Sequence, residues 1–239
     1  MSNEKIESLV AKDDHWIPLS DLMTGLMMVF LLIAILYMVK TESETQKITD
    51  VAILYDELKN QLYLDLKNEF ERDLTLWGAE LSKDLAIKFK EPDVLFDTGK
   101  DSLKPKFIEI LNDFFPRYLG VLSLEKYRDS IEEVRIEGHT SSIWGSNTSE
   151  DQAYFLNMAL SQARTRSVLQ YVFSLTKSIH QKQWLKEHLT ANGLSSSKPI
   201  LFPTGREDSE RSQRVEFRVK INSDERINEI LRSVKNEAS

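Results

Sequence analysis

Residues 22–39 read Leu-Met-Thr-Gly-Leu-Met-Met-Val-Phe-Leu-Leu-Ile-Ala-Ile-Leu-Tyr-Met-Val, eighteen positions without a charge. At a rise of about 1.5 Å per residue, such a helix is about 27 Å long, close to the ~30 Å hydrocarbon core of a bilayer. Trp16 and Tyr37 stand near its two ends, where amphipathic aromatics favour the headgroup level. A cleaved signal peptide would want a basic start and a small-x-small exit. Here the start carries more acid than base, and the exit is Lys40-Thr41-Glu42. The expectation is one uncleaved transmembrane helix over 16–40, preceded by a short tail over 1–15. Charge leaves the orientation open, since two lysines (Lys5, Lys12) precede the span and two (Lys40, Lys47) follow it closely.

Asp21 opens this span. A carboxylate at the centre of a membrane helix costs about 2.5–3.5 kcal/mol, and less near an interface. Thr24, Gly25 and Met28 follow at i+3, i+4 and i+7, giving a smaller and more polar face that should turn toward protein rather than lipid. Two readings stand side by side: an ion-carrying carboxylate, or an acid in the first turn of a helix begun by Pro18 and stabilised by the macrodipole.

Beyond the span the composition is that of an ordinary folded protein: 239 residues, 41% hydrophobic, 29% charged, net charge −7. The absence of cysteine excludes disulfides, thiol catalysis and cysteine-ligated zinc. The acidic balance argues against nucleic acid as a partner. His15, His139, His180 and His188 form no HExxH pair, and no glycine-rich phosphate loop is present. Neither metal, cofactor nor enzymatic activity is expected.

Residues 41–91 read as a helical stalk. No proline and one glycine, Gly78, occur between Leu26 and Glu91, and apolar residues recur from Val51 to Leu85 at a mean spacing of about 3.8. That exceeds the 3.5 of a strict zipper. The apolar face needs a partner, and a second copy of the chain is expected there over the following domain.

From Pro92 the pattern changes. Asp93–Asp97 reads as a short strand, and 104–119 as a helix that Pro116 should break or kink near its end. Further strands are expected at 133–138, 189–193 and 214–221, with helices at 151–177, 180–189 and 224–235. In the 214–221 strand, Val215, Phe217, Val219 and Ile221 should face in, while Glu216, Arg218 and Lys220 face out. Strands alternating with helices indicate a small α/β or α+β sandwich.

Four stretches here carry a resemblance. Val134-Arg135-Ile136-Glu137-Gly138-His139-Thr140, Asn157 to Arg164 (Asn-Met-Ala-Leu-Ser-Gln-Ala-Arg), Gly193-Leu194-Ser195 with Pro199, and Arg214-Val215-Glu216 are similar, in order, to the signatures of the OmpA-like peptidoglycan-binding domain. The resemblance covers 92–222, with 223–239 as a C-terminal helix. It implies a pocket for the diaminopimelate end of a cell-wall stem peptide, whose carboxylates suit a guanidinium and whose ammonium suits an acid. By position Arg164 takes the carboxylate, Asn157 and Leu160 shape the pocket, and Arg214 is a second guanidinium candidate. The family's acid after His-Thr is replaced by Ser141. The loop to Asn157 is longer than usual, and Asp151 or Glu150 is a candidate substitute from it; otherwise the ammonium contact is absent.

Taken together, tail, span, stalk and domain resemble a MotB-like stator B subunit, most closely the B subunits of Zorya anti-phage defence systems. The resemblance implies a single-pass inner-membrane protein with a cytoplasmic N-terminus and a periplasmic C-terminal domain. It further implies a homodimer inside a pentameric ring of A-type membrane subunits, with Asp21 and Thr24 on the ion path, a proton being favoured. The alternatives are a flagellar or Tol-type stator subunit, and a passive peptidoglycan tether without ion transport.

Overall fold

The computed structural model describes residues 16–90, 92–145 and 147–222. The expected 1–15 tail and 224–235 helix lie outside the described residues. The chain divides into two compact units, Met1–Ile53 and Leu54–Ser239.

In the first unit, helix α1 (Trp16–Leu76) begins. Within its segment Leu19–Gln46, an 18-residue stretch has a mean hydropathy of 2.6 and buries nothing inside the chain. Large side chains such as Phe30, Leu36 and Met38 all point outward. A water-soluble helix could not expose such a surface, whereas lipid or a membrane partner covers it at no hydrophobic cost. Thr24, Thr41 and Thr45 each donate their hydroxyl to the carbonyl four residues back, so these polar groups are satisfied within the helix.

The second unit starts with the last turns of α1. Leu58, Leu62, Leu66 and Phe70 recur every fourth residue and are buried in the core of this unit. The expected second copy on this face is therefore replaced by the chain's own domain. Phe70 packs on Phe114 with ring centroids 5.3 Å apart, and Phe114 in turn meets Phe217 of the sheet at 5.0 Å. Arg117 ties the same helix down through Glu69 and Asp73 at 2.7 and 2.9 Å. Replacing Leu66 with Ala should cost about 2–5 kcal/mol in chemical denaturation, the range for emptying a buried leucine site. A loss under about 1 kcal/mol would return this face to intermolecular pairing.

α1 ends at Leu76, fifteen residues short of the predicted stalk end at 91. Gly78 takes a left-handed φ of 61° there, the conformation that stops a helix most readily at glycine. The chain then forms a hairpin, β1 (Ala79–Ser82) and β2 (Ala86–Phe89), in place of further helix. Leu81 and Leu85 fit the helical spacing, but pairing β2 along the central strand buries Ala86, Ile87 and Phe89 together. The expected strand at 93–97 is a short helix, α2 (Pro92–Leu95), with a single bridge from Phe96 to Leu103 after it.

Next come α3 (Pro105–Leu122), α4 (Glu125–Arg128), β3 (Ile131–His139), α5 (Glu150–Leu175), α6 (Ile179–His188), β4 (Leu189–Gly193), α7 (Ser209–Ser212) and β5 (Arg214–Ile221). α3 runs through Pro116 to Leu122 without ending. Pro116 lies on the exposed side, while Phe114, Phe115, Tyr118 and Leu119 around it are buried, so packing holds the turn where one backbone bond is missing. The sheet order is β1-β2-β5-β3-β4, antiparallel except for the β3–β4 pair. With α3 and α5 against it, the result is the expected sandwich of helices on a sheet, following one apolar helix and a helical stalk.

Candidate functional site

β3 and β4 bring Gly138 and Gly193 directly opposite one another in parallel register. Helix α5 lies on this pair. A Cβ at Gly138 would meet Thr165 Cγ2 at 2.6 Å and the Ser161 carbonyl at 2.9 Å, and one at Gly193 would meet the Gln162 backbone nitrogen at 2.3 Å. The two glycines thus let the Ser161–Thr165 turn sit closer to the sheet than any side chain would permit. α5 starts from a capping box, with Ser149 and Gln152 satisfying each other's backbone N–H groups.

This placement sets Asn157, Leu160 and Arg164, at i, i+3 and i+7, along one side of a cleft of about 140 Å³. The opposite walls are the Thr98–Gly99 turn and the loop after β3, which contributes Thr140, Ser141, Ile143 and Trp144. Four of the residues singled out from sequence, Asn157, Leu160, Arg164 and Ser141, therefore converge. Arg214 instead lines a smaller neighbouring cavity, and Asp151 is exposed in the first turn of α5. Glu150 is exposed beside it. Sequence reasoning missed Trp144 and Thr140 as cleft residues; Thr140 stood inside the Gly-His-Thr signature, whereas Trp144 left no periodic signal.

Arg164 is buried, with Nε donating to the Lys100 carbonyl at 2.9 Å and Nη2 to the Asp97 carbonyl at 3.2 Å. Its guanidinium carbon lies 4.8 Å from the centroid of Phe96. No carboxylate pairs with it among the described residues. Burial pulls its pKa down from the ordinary arginine value, and Asp101 alone opposes this. Three of its five N–H groups remain for a ligand. Thr140 Oγ1 across the cleft and Asn157 Nδ2 on the Arg164 side are buried without a hydrogen-bond partner. Each such orphan costs about 1–3 kcal/mol unless water or a ligand satisfies it.

Beside the cleft is a buried charge cluster on the other face of the sheet. Glu137 and Glu216 sit opposite each other in the β3–β5 register, an arrangement that like charges alone would destabilise. Arg218 forks between them, with Nε 3.3 Å from Glu137 and Nη2 2.7 Å from Glu216, and reaches Asp84 with its third nitrogen. Arg214 Nε donates to Glu216 at 2.7 Å. Glu216, expected to face solvent, is thus buried, because β5 carries its own counter-charges at i−2 and i+2. Burial alone would raise the Glu137 carboxyl, but His139 beside it and the charges of Arg218 and Lys198 hold it at about 2. Burial and Arg214 push the His139 imidazole down, against the pull of Glu137 and Glu216. The His139, Glu137 and Glu216 ligand atoms lie within 4.8 Å of one another. Both carboxylates are already held by guanidinium groups, so the set is a neutralised ion network rather than a cation site.

In the other unit Asp21 is exposed on α1, and the Thr24 hydroxyl donates to Ser20 rather than to Asp21.

One apolar helix long enough to cross a membrane, followed by a five-stranded α/β domain, is the layout of a single-pass membrane protein. No protein-family profile matches the chain. Among solved structures, the domain is similar to a MotB-like protein from Desulfovibrio vulgaris, at 23% identity and a TM-score of 0.48 over 70% of this chain and 96% of that one. It is also similar to the periplasmic domain of Helicobacter pylori MotB, at 13% identity and a TM-score of 0.41 over 64% and 85%. A Zorya protein ZorB of Escherichia coli strain Crooks is 51% identical over 220 residues, which cover 92% of this chain and 93% of that one. A second ZorB, from Escherichia coli O139:H28, is 24% identical over 91% of this chain and 85% of its own. The chain belongs to the ZorB family of Zorya proteins.

Proposed function

We propose that this protein is the B subunit of an ion-driven rotary stator in the bacterial inner membrane, anchored to peptidoglycan and acting in anti-phage defence. The observation that carries the reading is Asp21, an exposed acid at the head of the apolar, outward-facing stretch of α1. Within its own chain it has no cation to neutralise it among the described residues, so its partner is a mobile ion or a neighbouring subunit. Two such chains inside a pentameric ring of A-type subunits would present Asp21 alternately to an apolar wall and to an aqueous half-channel. The carboxyl is neutral in the first setting and charged in the second. One charge crossing the membrane field gains about 2.3 kcal/mol per 100 mV, comparable to the cost of placing the carboxylate in lipid. The ion is a proton, because Asp21 and Thr24 together fall short of the ~6 oxygens a metal cation collects. The N-terminus then lies in the cytoplasm, and the α5 cleft holds the wall peptide in the periplasm through Arg164.

Asp21→Asn tests this. In a complex co-purified with its membrane partner and reconstituted in vesicles, the variant should assemble normally and lose essentially all ion-driven proton flux. Flux equal to wild type would leave a passive anchor.

A further inference from the structure

Among the described residues that line it, the α5 cleft has no acid. It presents the guanidinium of Arg164, paired with no described carboxylate, two unpartnered buried polar atoms on Thr140 and Asn157, and the apolar Ile143 and Trp144. The described carboxylates around it are held by other groups or lie outside it. Asp97 gives Arg164 only its backbone carbonyl, while its side chain pairs with Lys100 and Lys104 at 3.5 and 3.4 Å. Glu207 accepts from the Ser142 backbone N–H at 3.1 and 3.2 Å and from the Ser142 hydroxyl. Asp101 and Asp151 are exposed outside the cleft.

A ligand carboxylate is thus matched, and a ligand ammonium is not. An ammonium entering the cleft would lose water, gain no counter-charge and feel the like charge of Arg164. A neutral amide in its place loses less on desolvation and can pair with the free Thr140 hydroxyl and Asn157 amide. We propose that this cleft recognises the carboxylate end of a diamino-acid peptide whose distal amine is acylated, the state that amine has in a peptide cross-link. The inference rests on the peptidoglycan reading above and specifies which form of the wall the site takes. A stator held this way grips finished, cross-linked material rather than free stems.

The test uses the full chain in nanodiscs and three synthetic tripeptides ending in diaminopimelate: one with the distal amine free, one with it acetylated, one with it replaced by hydrogen. Calorimetry should show the two neutral forms binding at least threefold tighter than the free amine, and all three losing at least tenfold affinity with Arg164→Ala. Ser141→Asp, which puts an acid back into the cleft, should reverse the order and favour the free amine at least fivefold. Wild-type preference for the free amine, or rejection of the acetylated form alone, would overturn the proposal. If none of the three bound while the protein remained folded, the peptidoglycan reading itself would fall.

Discussion

Gly193→Ala should leave the C-terminal unit largely unfolded. The added methyl would lie 2.3 Å from the Gln162 backbone nitrogen and 2.7 Å from its Cα, so no side-chain rotation relieves the clash. α5 would have to lift from the sheet along its length, since Val168 and Val172 further along are buried in the same core. Overpacking commonly costs about 1–3 kcal/mol where side chains can yield. Against backbone the loss should exceed about 4 kcal/mol, a large part of a domain's whole stability. Gly120→Ala is the matched control, because nothing lies within 4 Å of a Cβ there and the site is helical. That variant should gain about 0.5–1 kcal/mol. Chemical denaturation of both variants decides the matter, and a Gly193→Ala protein of wild-type stability would mean that α5 does not rest on β4 as described.

The second large effect concerns Glu216→Gln. The substitution keeps shape but leaves Arg214 and Arg218 beside the remaining carboxylates of Glu137 and Asp84 in a site where Glu216 is almost wholly inaccessible. Removing one partner from a buried ion pair costs about 3–5 kcal/mol, because the surviving charge stays buried and uncompensated. A loss below about 1 kcal/mol would show that water enters the cluster freely. The same cluster dictates the response to acid. Glu137 is held at about 2 in the folded protein, below its ordinary 4.5, so its stabilisation is complete above pH 4.5 and is lost as the pH falls toward 2. The His139 imidazole is held down as well. Below its ordinary 6.5 the unfolded chain takes up a proton that the folded chain resists, again favouring unfolding. Both groups act in one direction, and denaturation midpoints should fall steadily from pH 7 to pH 3.

Much of this was legible in the sequence, and the exceptions have causes. The eighteen uncharged residues after Asp21 and the alternation of Val215, Phe217, Val219 and Ile221 are direct imprints of burial, so the span and β5 read correctly. The hairpin β1–β2 did not, because Leu81 and Leu85 continue the fourfold spacing set by Leu58 to Phe70, while the decisive signal was the backbone freedom of Gly78. Glu216 looked solvent-facing since alternation reports only which face a residue takes, and here the polar face is covered by its own arginines. In the cleft, Asn157, Leu160 and Arg164 share a helix face and could be grouped in advance. Trp144 joins them through a loop whose path no periodicity encodes, and Arg214 falls outside because β5 turns it toward Glu216.

The placement of Leu58 to Phe70 inside the core bears on how the chain can be dissected. A soluble piece begun at Pro92, where the composition shifts, would forfeit two strands and four anchoring side chains, leaving Phe89's and Phe70's berths open to water. A fragment that keeps the whole core has to begin before Leu58, partway along a helix, so the seam between linker and domain falls inside a single secondary-structure element.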